Sequence, residues 1–529
     1  MNTIEFYLIF SIALAVVISL ITMVSNKLRV ATPILLVLIG LCISFIPQVP
    51  QIRIEPDLIF YIFLPPLLYE AAWNISWKEM WRWRRIITSF AFIVVFLTAS
   101  VVALVANQFL PGFSLVLGFL LGGIVSPPDA VSASAITKYI KIPRRLSTIL
   151  EGESLFNDAS SLVIVRFALL VMATGQFFWH QALLSFTWMI VGGIGIGILL
   201  AYIFVVAHKR LPTDADTDTV LTLIAPYIMY IVAESMEASG VMAVVCGGLF
   251  IGYRGPVLFG SSTHLRGINV WRNFVFLLNG VVFILIGLDL PEITRGLAEE
   301  GVSLVQASLY GVLITLVLIL VRLAASYGAV AITLFMRRFI KVADGRNPGK
   351  GTPLVLGWTG MRGVVSLASA LSIPLVLSDG TPFPQRSLIL YITFIVITLT
   401  IVVQGLTLPL MIRKIKFPDF KDHLPEKETE QMIRQEMLQC GLDYIRKNYG
   451  DGKTCHDTGV QRLVEFWNRQ LSEEDNTLSP HAKAVYIEVL HQQRTYLYNR
   501  NRTSKEIDEE IIRRYLYRID LEEERINTD

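Results

Sequence analysis

Between residues 6 and 412 the chain returns thirteen times to an apolar run near the length a helix needs to cross ~30 Å of hydrocarbon. The runs are 6–24, 31–45, 58–75, 86–109, 113–135, 147–172, 182–207, 220–233, 240–253, 274–288, 304–336, 354–377 and 388–412. Inside lipid every backbone N–H and C=O must find its partner within the protein. Runs of this length satisfy that demand as helices. The expected fold is an all-α polytopic membrane protein with about 13 transmembrane helices.

Charge is placed as unevenly as the apolar runs. Only 17% of residues are charged, against about 25% in a soluble globular chain, which argues against one large soluble enzyme. The last 114 residues carry 18 Lys/Arg and 23 Asp/Glu, leaving 28 and 20 for the 415 before them. Two domains are expected: a transmembrane domain at 1–415 and a cytoplasmic helical domain at 416–529. In the tail, apolar residues recur at helical spacing over 460–471 and 482–498. The stretch 507–526 is charged and helical in pattern, and Gly450-Asp451-Gly452 marks a turn. The tail has no catalytic motif, so a regulatory or assembly role is expected of it.

Basic residues in short loops set the orientation of a membrane chain. With the N-terminus outside, the inside loops collect clusters such as Lys78, Arg82, Arg84 and Arg85, whereas the outside loops hold only Arg53, Arg295 and Arg386. That asymmetry predicts an odd number of spans, N-terminus outside and C-terminus cytoplasmic, with the first run retained as a span. No basic cluster is interleaved with aromatics, so no nucleic-acid partner is expected. Cys42, Cys246, Cys440 and Cys455 lack metal or disulfide spacing, and the seven histidines form no H-E-x-x-H. Neither an enzyme nor a cofactor is expected.

Ionisable groups inside spans are expensive and mark pathways. Here they are Glu70, Asp129, Glu151, Glu153, Asp158, Arg166, Arg322 and Arg362. The sixth run holds three acids within eight residues. At 100° per residue, Ser154 lies about 40° and Glu151 about 20° from Asp158 on the helical wheel, while Glu153 lies about 140° away. Asp158 can therefore share a site with Ser154. Glu153 needs a separate partner, for which Arg322 and Arg362 are the candidates, and Glu151 falls near the cytoplasmic mouth.

Two spans are interrupted. The fifth contains Ser126-Pro127-Pro128-Asp129, where two prolines remove backbone donors. The twelfth contains Gly357-Trp358-Thr359-Gly360-Met361-Arg362-Gly363, three glycines in seven residues. Breaks at corresponding positions point to a transporter of two inverted repeats, spans one to six and eight to thirteen, with broken crossing helices at the site. Freed carbonyls can coordinate a cation, and Asp129 and Arg362 can neutralise the half-helix ends.

At these residues the chain resembles a family. Glu153-Ser154-Leu155-Phe156-Asn157-Asp158 matches the E-S-x-x-N-D signature of the monovalent cation:proton antiporters, the group of bacterial sodium/proton exchangers related to animal sodium/hydrogen exchangers. The resemblance extends to Leu64-Pro65-Pro66-Leu67-Leu68-Tyr69-Glu70, Ser126-Pro127-Pro128-Asp129-Ala130, Arg322 and Gly360-Met361-Arg362-Gly363. It implies a plasma-membrane homodimer with a rigid dimerisation domain and a moving core, in contact with membrane lipid. Asp158 is then the carboxylate that takes either the cation or a proton. Ser154, Glu70 and backbone near Pro128 complete the cation site, Asn157 holds the broken helices, and Glu153 with Arg322 forms a structural ion pair. In this family an Asn-Asp pair accompanies one-for-one, electroneutral exchange. Where many relatives have Thr before the fifth-span Asp, this chain has Pro128, which keeps a carbonyl but has no hydroxyl.

The expected function is exchange of Na+, or Li+ or K+, for H+ by alternating access. A hard monovalent cation wants oxygen ligands, and cation and proton compete for Asp158. The alternative is a cation channel or a potassium-selective exchanger; the chain has no repeated pore-loop filter of carbonyls.

Overall fold

The computed structural model describes residues 3–28, 30–46, 59–129, 142–175, 179–212, 214–258, 261–337, 339, 348–377, 380–415 and 417–418, with scattered positions between 439 and 526. The chain folds as two compact units, Met1–Pro418 and Asp419–Asp529.

Among the described residues the first unit is helical, apart from one antiparallel bridge between Val376 and Pro382. Helices α1 (Thr3–Leu28) and α2 (Thr32–Ser44) precede a π-helical turn, Ile59–Phe63, that runs into α3 (Leu64–Asn74). Helix α4 (Trp77–Thr88) continues through a second π turn, Ser89–Val94, into α5 (Val95–Phe109). Next come α6 (Leu115–Val125), α7 (Arg144–Thr174), α8 (Trp179–Arg210), α9 (Ala215–Ser235), α10 (Gly240–Leu258), α11 (Ser261–Leu288) and α12 (Leu290–Glu299). Helix α13 (Leu304–Met336) leads to two half-length helices, α14 (Gly351–Trp358) and α15 (Val364–Leu371). The last crossing joins α16 (Arg386–Leu399), a third π turn, Thr400–Gln404, and α17 (Gly405–Lys414). Eight stretches among the described residues are long and apolar enough to cross a membrane, and three shorter apolar helices accompany them.

Local chemistry sets the ends. Ser114, Asp214 and Ser303 each accept a hydrogen bond from the backbone N–H three residues on, capping α6, α9 and α13. Gly175 takes a left-handed φ of 68° and its N–H reaches the Val171 carbonyl at 2.9 Å, which closes α7. Two boundaries differ from the sequence pattern. Helix α12 fills what the apolar runs mark as a loop, because only Ile293 and Leu297, four apart, are buried and Glu292, Thr294, Arg295 and Glu299 interrupt any apolar run. The run at 86–109 starts earlier, at Trp77: Met80, Trp83 and Ile87 bury one face of α4 while its other face is basic.

The helices pack in two sets, each more closely knit within itself than to the other. One comprises α1–α3 with α8–α11, and the other α4–α7 with α13–α17; α7 is the member of the second set that touches α3, α8 and α10. Small residues permit the closest approaches. Gly118 and Gly122, one turn apart on α6, lie on Ala103 and Ala99 of α5, where a Cβ at Gly118 would fall 2.6 Å from the Ala103 carbonyl oxygen.

Within the second unit, Leu490, Ile519 and Ile526 form a small apolar cluster and the Tyr486 hydroxyl donates to Glu522 at 3.3 Å. The expected helix at 460–471 and turn at 450–452 lie outside the described residues.

Candidate functional site

Both chain breaks follow from composition. Helix α6 stops at Val125 because Pro127 and Pro128 lack N–H groups, which strands carbonyls at the helix end. Helix α14 stops at Trp358, and residues 359–363 run non-helical to Val364, where α15 begins.

The two breaks meet. The Asp129 N–H donates to the Met361 carbonyl at 2.6 Å. Arg362, 1% exposed, reaches back across the break. Its Nε donates to the Val125 carbonyl at 2.8 Å and its Nη2 to Ser126 at 3.4 Å, while Nη1 turns to the carbonyl of Gly360. Its own N–H donates to Thr400 Oγ1 at 3.1 Å, at the start of the third π turn. Asp129 crosses the other way: a Cβ on Gly363 would lie 2.7 Å from its carboxylate carbon, so the carboxylate rests on the first turn of α15. The exchange is reciprocal. Each break gives the other's half-helix the charge that its dipole favours.

Helix α7 lies against this crossing. Asn157 Nδ2 donates to the Pro128 carbonyl at 2.9 Å, and Ser161 Oγ to the Gly123 carbonyl at 2.6 Å. Ser160 Oγ reaches the Ala91 carbonyl at 2.5 Å, inside the second π turn, where the wider helix frees a carbonyl from the usual ladder. Asp158 is 6% and Ser154 8% exposed. Among the described residues no hydrogen bond reaches the Asp158 carboxylate, and Asp129 is close enough for their charges to interact. Asn157 Oδ1 is buried without a hydrogen-bond partner among the described residues.

Glu153 points elsewhere on α7. Arg322 of α13 donates Nη1 to Glu153 Oε1 at 2.7 Å and Nη2 to Oε2 at 2.9 Å, with a further bond from Nη2 to the Thr359 carbonyl at 3.3 Å. Glu151 accepts from Ser147 Oγ at 2.5 Å near the start of α7. Glu70 stands apart: half-buried on α3, it takes its hydrogen bond from Asn74 Nδ2 at 2.6 Å, and none among the described residues joins it to Asp158.

Some of these residues were not legible in the sequence. Thr400, Ser160 and Ser161 are ordinary hydroxyls in apolar runs, with no motif to single them out. Gln404, wholly buried with neither amide atom partnered among the described residues, ends the third π turn. Arg166, which no motif placed, pairs with Glu234 at 2.5 Å. Glu234 lies one residue beyond the apolar run that ends at Ala233, so hydropathy passed over it.

The family model described as "Sodium/hydrogen exchanger, transmembrane" matches residues 12–414. The chain is 33% identical to the Na(+)/H(+) antiporter ApNhaP of Aphanothece halophytica over 78% of its own length and 75% of the relative's. It is 31% identical to the "Sodium, potassium, lithium and rubidium/H(+) antiporter" of Bacillus subtilis, over 72% of this chain and 58% of that one. Among solved structures, the sodium proton antiporter MjNhaP1 of Methanocaldococcus jannaschii superposes with a TM-score of 0.62 at 19% identity, covering 78% of this chain and 99% of that one. The family match spans both breaks, α7 and the arginines that pair with them, and the chain belongs to the sodium/hydrogen exchanger family of membrane antiporters.

Proposed function

We propose that the protein exchanges a monovalent cation, Na+ ahead of Li+ or K+, for H+ across the plasma membrane by alternating access. The observation that carries this reading is the Asp158 carboxylate, buried beside two crossing broken helices with no hydrogen bond among the described residues. A carboxylate so placed takes either a proton or a cation, and one excludes the other. Ser154, the Pro128 carbonyl and Asn157 bring neutral oxygens to the same part of α7, as a hard monovalent cation requires. Glu70 lies on the opposing helix set, so it completes the ligands in the state where the sets close on the ion. Glu153 with Arg322 braces α7 against α13, Asp129 and Arg362 hold the breaks together, and Glu151 lines the inner approach.

With one carboxylate cycling per turnover, the exchange is electroneutral. In this reading the thirteen runs are thirteen spans in two inverted repeats, with the N-terminus outside and the tail cytoplasmic. The chain acts as a homodimer. The name of the Bacillus relative, which covers four alkali cations, supports testing several ions side by side. In proteoliposomes with an internal pH dye, adding Na+, Li+ or K+ produces a saturable pH change that Asp158→Asn abolishes. A flux that never saturates and ignores the pH gradient would favour a channel instead.

A further inference from the structure

The Arg166–Glu234 pair joins the two helix sets. Arg166 sits on α7, eight residues beyond Asp158, or about 12 Å along the same rigid helix. Glu234 sits near the end of α9, in the other set. Their contact is 2.5 Å, and Arg166 lines two open grooves, the second of which also takes in Glu234. One, of ≈ 460 Å³, lies toward Pro374 and Phe383; the other, of ≈ 610 Å³, also holds Glu237.

The two partners are held differently. Glu234 Oε1 accepts the Gly240 N–H at 3.0 Å, which ties this oxygen to the first turn of α10 and leaves Oε2 for Arg166. The turn that fixes it is tight: Glu237 takes a left-handed φ of 56°, and the Ser239 N–H reaches the Met189 carbonyl of α8 at 3.0 Å. The acid is thus pre-set on one helix set, and its cation rides on the helix that carries Asp158. Any displacement of α7 that carries Asp158 toward one face of the membrane also moves Arg166 relative to Glu234.

We infer that the Arg166–Glu234 pair is the gate over one mouth of the ion pathway, and that it parts before Asp158 exchanges its ion with that side. On the N-outside topology this mouth faces outward. The inference rests on the antiport reading above. When the pair parts, Glu234 and Glu237 remain at the mouth with their negative charge, which favours cation entry.

The test bridges the gate. In a background with Cys42, Cys246, Cys440 and Cys455 replaced by alanine, Arg166→Cys and Glu234→Cys are joined by a bifunctional methanethiosulfonate in proteoliposomes. Bridging stops Na+-driven proton flux and a reductant restores it; flux unchanged by bridging overturns the gate. If the double cysteine variant is inactive before bridging, Arg166→Gln, which breaks the pair and leaves Glu234 with its charge and its bond from Gly240, decides the matter. It lowers the apparent KM for Na+ on the gated side and raises it on the other, by about fivefold. KM values that stay put, or move together, overturn the proposal. Absence of exchange in the unmodified protein would instead sink the antiport reading, and the gate with it.

Discussion

Arg322 and Glu153 form a two-pronged ion pair at 2.7 and 2.9 Å, with 3% and 1% of their side chains exposed. Both charges have left water, so each depends on the other. Removing either one alone, as Glu153→Gln or Arg322→Gln, should destabilise the protein by about 3–5 kcal/mol, because a buried charge is left uncompensated. Replacing both with apolar residues of similar size should cost far less. Thermal unfolding of the purified protein checks this, and a midpoint unmoved by either single change would contradict the brace.

Asp158→Asn keeps the shape of the side chain and removes the charge for which, on the proposed function, cation and proton compete. Exchange should fall to the background of empty vesicles while the thermal midpoint stays within a few degrees. Persisting sodium-driven pH change would refute the assignment. On the same proposal Glu70→Gln should act differently, raising the KM for Na+ while leaving residual exchange, since Glu70 is there assigned to complete the site from the other helix set.

Arg362 donates to Val125, Ser126 and Gly360 from three different nitrogens. A lysine has one ammonium and no fork, so Arg362→Lys cannot replace all three bonds. Each charge-assisted bond that is lost should cost roughly 1.5–3 kcal/mol. The expected result is a lower thermal midpoint together with slower exchange, measured on the same preparation. Full stability in the lysine variant would mean that the α6 carbonyls find other donors.

Gly122 of α6 touches the Ala99 backbone of α5, and Gly118 the Ala103 backbone one turn away. Gly122→Leu should force the helices apart and cost about 1–3 kcal/mol. Denaturation midpoints test this, with Gly328→Ala, where a Cβ meets nothing within 4 Å, as the neutral control.

What was readable in advance depended on whether its cause was local. The proline pair at 127–128 ends a helix wherever it lies, since missing donors and ring clashes are properties of the chain itself. The separation of Glu153 from Asp158 around α7 follows from helical geometry. The low charge of the first 415 residues is a matter of composition alone, and it pointed to a membrane. By contrast, α12 escaped because a helix that buries only Ile293 and Leu297 leaves no apolar run. The π turns escaped because no residue type dictates them.

By itself, then, the sequence determined the class of protein, its helical membrane character, the two breaks and the motif at Asp158. All of these rest on hydropathy, proline chemistry and spacing. The tertiary structure alone decided which charge meets which. It brought Arg362 to the end of α6 and Asp129 to the start of α15, gave Glu153 to Arg322, and set Arg166 against Glu234. Those pairs lie 68 to 237 residues apart along the chain. Their selection came from the packing of two helix sets, in which a buried charge is stable only where an opposite charge or a carbonyl awaits it.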